Sequence, residues 1–194
     1  QVAMFYQQRD DIQIKQSLVQ SRVDSNAVSF TDYFGNSAEG SNYGVELEFN
    51  WLATETLALF GTVGLLATEY DIPLSADLNR RDQAHAPGYQ FALGGTAQVT
   101  DSATLSIDFE GKDKFYLSSS HGEQSESYEL LNASLDYNFG YWELSLWGRN
   151  LTDEEVIVRG FGGFGNDPRK FYATEPYYQF GEPRMFGVSG KYDF

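Results

Sequence analysis

Apolar and polar residues alternate with period two over much of the chain. Val45, Leu47, Phe49 and Trp51 alternate with Glu46, Glu48 and Asn50, and Tyr89, Phe91, Leu93, Ala97 and Val99 with Gln90, Ala92, Thr96 and Gln98. Leu105, Ile107 and Phe109 alternate with Ser106, Asp108 and Glu110, and Leu131, Ala133, Leu135, Tyr137 and Phe139 with Asn132, Ser134, Asp136 and Asn138. Successive side chains of a strand point to opposite faces, so each run has one apolar and one polar face, and helical spacing fits poorly. The pattern predicts eight strands, near residues 1–17, 42–53, 56–70, 88–100, 103–117, 127–139, 141–151 and 183–194. Most exceed the roughly five or six residues usual in soluble domains and suit the roughly 9–11 that a tilted membrane strand needs.

The connections alternate as well. Short turns are expected near Ala53–Glu55, Thr100–Ser102 and Gly140, and long polar, Gly-rich loops near 18–41, 71–87, 118–126 and 152–182. Bacterial outer-membrane barrels have this asymmetry, with short periplasmic turns and longer extracellular loops. An even number of strands also puts both chain ends on the periplasmic side. Aromatics gather where strands would cross the membrane interface: Tyr70 and Tyr89, Phe115 and Tyr116, Tyr137 and Phe139, Tyr141 and Trp142. Such girdles are expected because the rings combine an apolar body with a polar edge or tip. The fold expected is therefore all-β, an antiparallel transmembrane β-barrel segment of about eight up-and-down strands.

Composition narrows the function. Thirteen basic residues against 28 acidic ones give a net charge of −15, the wrong sign for meeting nucleic-acid phosphates. With no Cys, thiol chemistry, thiolate metal sites and disulfides are excluded. No run approaches the roughly 18 apolar residues of a membrane helix. A start at Gln1 rather than Met is what a processed chain or a piece of a longer one would show, and QVAMFYQQRDD lacks the layout of a secretory signal.

Three stretches resemble the C-terminal half of TonB-dependent receptors. Asn42-Tyr-Gly-Val-Glu-Leu-Glu-Phe-Asn-Trp51, followed by a short turn and Leu57-Ala-Leu-Phe60, is similar to the family's Gly-Val-Glu-Leu-Glu strand, periplasmic turn and apolar strand. Asn150-Leu-Thr-Asp153 resembles the Asn-Leu-x-Asp step that closes the penultimate strand. Gly181-Glu-Pro-Arg-Met-Phe-Gly-Val-Ser-Gly-Lys-Tyr-Asp-Phe194 looks like the final strand. The resemblance implies that residues 1–194 are the C-terminal portion of a barrel of about 22 strands, without the plug domain that fills the lumen. It implies outer-membrane uptake of a scarce ligand such as a ferric siderophore, with TonB acting through the plug. Tyr192 and Phe194 would form the signal read by the barrel-assembly machinery, although Gly190 sits one place later than that signal has it.

The long loop 152–182 supplies the candidate ligand contacts: Arg159, Phe161, Phe164, Arg169, Tyr172 and Tyr177, with Lys170, Phe171 and Tyr178 beside them. Basic and aromatic groups there suit an anionic or aromatic ligand, or lipopolysaccharide phosphates, and equally suit packing against neighbouring loops. Gly160-Phe-Gly-Gly-Phe-Gly165 matches the dinucleotide fingerprint letter for letter, but that motif works only between a strand and a helix, and no amphipathic helix follows. His85 and His121 have no partner nearby in sequence, and Asp10, Asp11, Asp71, Asp77 and Asp82 show no ordered ligand spacing, so neither metal site nor cofactor is expected. Glu46 and Glu48 share a strand face and line the polar side, so no enzyme is expected either. Two other readings remain: a complete eight-stranded outer-membrane barrel with a structural or adhesion role, and a sugar-binding soluble sandwich. The polar row Glu46, Glu48, Asp108, Glu110, Asp136, Glu143 and Lys191 is too acidic for a narrow lumen, which favours part of a wide barrel.

Overall fold

The computed structural model describes residues 1–21, 28–71, 80–119, 122–161, 168–171 and 175–194. Eight strands form one antiparallel sheet: β1 (Val2–Ser21), β2 (Val28–Leu52), β3 (Leu57–Asp71), β4 (Tyr89–Thr100), β5 (Ala103–Lys112), β6 (Tyr128–Phe139), β7 (Trp142–Arg149) and, last in the order, β10 (Met185–Tyr192). A separate hairpin, β8 (Ile157–Phe161) with β9 (Tyr177–Phe180), lies in the chain between β7 and β10.

The register turns the sequence alternation into two continuous faces. Leu47 pairs with Val63, Val63 with Phe91, and Phe91 with Gly111; Leu105 pairs with Leu135, Leu135 with Leu146, and Leu146 with Val188. On the other face Glu48 pairs with Thr62, Thr62 with Ala92, and Ala92 with Glu110, while Asp136 pairs with Ser145 and Glu143 with Lys191. An apolar face for lipid and a polar face for an aqueous lumen is the wall of a membrane barrel. Side-chain hydrogen bonds tie the polar rows across strands, Asn132 Nδ2 donating to Asp108 Oδ2 at 2.7 Å and Trp147 Nε1 to Ser189 Oγ at 3.1 Å.

The curvature uses glycine under aromatic rings. Phe5 covers Gly44, Phe60 covers Gly94 and Trp147 covers Gly187, each ring lying where a Cβ on its cross-strand partner would go. A ring lying flat over a glycine shields the exposed strand backbone and packs without standing off the sheet.

The sheet is open. Among the described residues no contact joins β1 to β10, so this chain does not close as a small eight-stranded barrel. Its accessible surface is 13444 Å², against about 9,300 Å² for a compact monomer of this mass. An open sheet exposes both faces, the apolar one among them, where Leu65, Leu135, Leu146 and Val188 are exposed. Among the described residues the buried hydrophobics are Ala38, Ala103, Phe115, Leu117 and Val156, most of them at the loop end of the sheet.

Several expectations change. The loop expected at 18–41 is largely strand, since β1 runs to Ser21 and β2 starts at Val28, with a register shift between Arg9 and Ile12 and a left-handed Asp11 at φ 53°. This upper hairpin stands clear of the membrane, with no lipid to demand an apolar face, so the alternation that marks the lower strands is missing. β5 stops at Lys112 rather than running to 117, and the loop expected at 152–182 holds β8, β9 and a short 3-10 turn at Pro168–Lys170. Gly160 lies in β8, and the rest of its fingerprint, from 162 to 165, lies outside the described residues. The inner girdle is present: the Trp142 and Tyr192 rings meet at a tilt, their centroids 4.8 Å apart, Tyr192 meets Phe194 edge-on at 5.1 Å, and Tyr137 sits 5.9 Å from Phe139. Phe115 does not join an outer girdle, because it is buried beneath the loops, and Tyr70 lies on the polar face against Ala38.

Candidate functional site at the loop end of the sheet

Three connections meet at the end opposite the short turns. The first, 80–88, folds back over the polar face. Gln83 donates its backbone N–H to Thr68 Oγ1 at 2.9 Å and its amide to Asn42 Oδ1 at 2.6 Å, and both acceptors lie on that face. The positive φ of Arg80 (55°) and His85 (58°) turns the segment inward.

The second connection, 113–127, is clasped by backbone bonds Leu117 N to Glu123 O and Ser125 N to Phe115 O, both 2.9 Å. Against it the Arg81 guanidinium lies 4.4 Å over the Tyr116 ring and donates to the Ser118 carbonyl at 2.8 Å. Burial lowers the pKa of Arg81, while nearby Tyr116 and Tyr70 pull the other way. The His85 ring rests 5.6 Å from Phe115.

The third connection carries the β8–β9 hairpin. Gly160 packs on Leu117 so closely that a Cβ would strike it, and Tyr178 Oη donates to Glu123 Oε2 at 2.7 Å. That bond to a carboxylate raises the Tyr178 pKa.

The hairpin brings together three of the residues expected from sequence. Phe161 pairs with Tyr177, and the Arg159 guanidinium lies 4.7 Å over the Phe161 ring. Arg169 sits exposed in the 3-10 turn, where its neighbour Lys170 is ion-paired with Glu175. Phe164 and Tyr172 lie outside the described residues. Stacked guanidinium and aromatic groups at an aqueous surface can hold an anionic or aromatic ligand. Sequence reasoning missed Arg81, Gln83, Leu117 and Glu123, which build the support beneath the hairpin. Their partners are 37, 41 and 55 residues away for Arg81, Gln83 and Glu123, so no local pattern announces them.

Lower on the polar face, Glu46, Glu48, Glu110, Lys112, Gln90 and Tyr128 surround a cavity of about 390 Å³ that opens to the lumen. Ala3, Gly64 and Ala92, all small, leave room for it among the longer side chains.

Residues 1–151 match the family model described as TonB dependent receptor-like, beta-barrel. The chain belongs to the TonB-dependent receptor family. Its place is the outer membrane of a Gram-negative bacterium, in keeping with the two-faced sheet. Solved structures share the fold. The ferric yersiniabactin uptake receptor FyuA from Yersinia pestis superposes with a TM-score of 0.77 at 16% identity, over 100% of this chain and 27% of that one. The siderophore receptor PiuA from Acinetobacter baumannii gives 0.72 at 17%, over 97% and 25%. The copper transporter OprC gives 0.69 at 14%, over 100% and 29%. The chain thus spans about a quarter of the length of the receptors it matches.

Proposed function

We propose that this chain is the last arc of the barrel of a receptor that takes up a ferric siderophore across the outer membrane. The observation that carries the reading is the two-faced sheet itself, a carboxylate-rich lumen wall backed by a lipid face, in a chain whose residues 1–151 match the receptor barrel. The rest of the barrel would supply 14 or so further strands, to reach about 22, and an N-terminal plug that TonB engages. Tyr192 and Phe194, packed edge-on at the inner rim, would be read by the barrel-assembly machinery. The outer ends of the strands would meet lipopolysaccharide.

An anionic metal chelate is favoured by the hairpin, where Arg159, Phe161 and Tyr177 present a cation and rings together. Neighbours named for siderophores and one named for copper make the cargo the point to test. Growth of a deletion strain in iron-limited medium, supplied in turn with different ferric siderophores, should fail on at least one of them and return on complementation. Unimpaired growth on every ferric siderophore, with reduced copper accumulation, would sink the siderophore reading.

A further inference from the structure

The third connection leaves the sheet after β7 and returns to it before β10, and both of its limbs are held by one side chain. Asn150 is 3% exposed and left-handed, at φ 49°. Its Oδ1 accepts the backbone N–H of Glu154 at 2.9 Å. Its Nδ2 donates to the carbonyl of Glu154 at 2.8 Å and to that of Glu182 at 3.1 Å. The first two bonds hold the outgoing limb and the third holds the returning limb, so the amide closes the foot of the loop.

The knot is tied to the wall as well. The backbone N–H of Asn150 donates to Asn132 Oδ1 at 2.9 Å, and Asn132 Nδ2 in turn donates to Asp108 on β5. Thr152 Oγ1 reaches Asn150 Oδ1 at 3.2 Å, and the ion pairs Arg184–Asp153 (2.8 Å) and Arg149–Glu182 (3.6 Å) flank the crossing. Those pairs are exposed and contribute little; the buried amide, with donors and acceptor all used, is where loss costs most.

We propose that Asn150 is a positioning residue for the external hairpin. By clamping both limbs at the barrel rim it fixes β8–β9 against the 113–127 connection, and with it Arg159, Phe161 and Tyr177. Its relevance to ligand capture rests on the function proposed above, but the clamp itself can be tested without any ligand.

The amide orientation makes the test sharp. Asn150→Asp keeps the size, the acceptor and the tolerance for a left-handed backbone, yet turns an oxygen toward two carbonyls. Asn150→Gly removes the side chain and keeps the backbone freedom. In the full chain in outer membranes, trypsin cleavage after Arg169 and Lys170 reports release of the hairpin, and heat-modifiable mobility on a gel reports the intact barrel. Asn138→Asp, on the lumen face near the inner turn and away from the loop foot, serves as control. Both Asn150 variants should be cleaved about tenfold faster than the parent with barrel mobility retained, the size expected for losing a net hydrogen bond or more. Parent-like cleavage in both variants would overturn the clamp. Loss of barrel mobility in both would overturn it too, by making Asn150 a determinant of the barrel rather than of the loop. Faster cleavage with unaltered siderophore-dependent growth would uphold the clamp and count against ligand contact by the hairpin.

Discussion

At Tyr178 one phenol hydroxyl, 2.7 Å from the Glu123 carboxylate, joins the hairpin to the connection beneath it. The bond to the carboxylate favours the protonated phenol and raises its pKa above the ordinary 10.0. A folded-state pKa raised in this way stabilises docking fully below pH 10 and loses that contribution as pH rises through the folded value. Ultraviolet titration of the parent minus Tyr178→Phe should therefore reveal a phenol titrating above pH 10, and a difference curve centred at or below 10 would refute the bond. Gly94 and Gly64 differ in a comparable way. A Cβ at Gly94 would lie 2.7 Å from Phe60 Cε1 and 2.8 Å from the Ile107 carbonyl, whereas at Gly64 the nearest atom is Gln90 Cγ at 3.5 Å. Gly94→Ala should cost about 1–3 kcal/mol in urea unfolding of the barrel, and Gly64→Ala less than about 0.5 kcal/mol. Equal effects would mean that the ring over Gly94 is not what the position requires.

The strands were legible in the sequence wherever lipid sits on one side and water on the other. Leu93 and Phe109, paired on the lipid face, alternate with Thr96 and Ser106, paired on the lumen face. That is why β3, β4 and β6 fall within a residue or two of their expected limits. Above the membrane the two-sided environment disappears and so does the signal. The last residues of β1 and the upper half of β2 look like loop, and all four residues of β9 are exposed. The candidate contacts Arg159, Phe161 and Tyr177 could be picked out as basic and aromatic loop residues. What supports them could not, because Gly160 on Leu117 and Tyr178 on Glu123 are tertiary contacts between separate loops. The same asymmetry predicts how substitutions behave: Leu93→Arg should destabilise the barrel by about 2–4 kcal/mol near the midplane. Thr96→Arg, facing the lumen, should cost far less in the same urea titration; matching losses would mean that the faces are misassigned.

For the whole molecule the decisive feature is that, among the described residues, neither edge of the sheet finds a partner strand. β1 and β10 each expose a row of backbone donors and acceptors, an arrangement that invites pairing with further strands. The large apolar surface calls for lipid, and the acidic lumen wall calls for width. Together with the match over residues 1–151 these place the chain in a barrel larger than itself. Because residues 1–194 contain no Cys, disulfide scanning within them can test this in the full protein, with any Cys elsewhere replaced by Ser. Ser145→Cys with Ser189→Cys, paired between β7 and β10, should cross-link and serves as the positive control. Ala3→Cys combined in turn with Cys at Gly187, Ser189 or Lys191 should give no intramolecular cross-link, because β1 and β10 have other partners. A β1–β10 cross-link as efficient as the control would mean that the eight strands close on themselves, and would contradict the assignment of this chain to one arc of a wide receptor barrel.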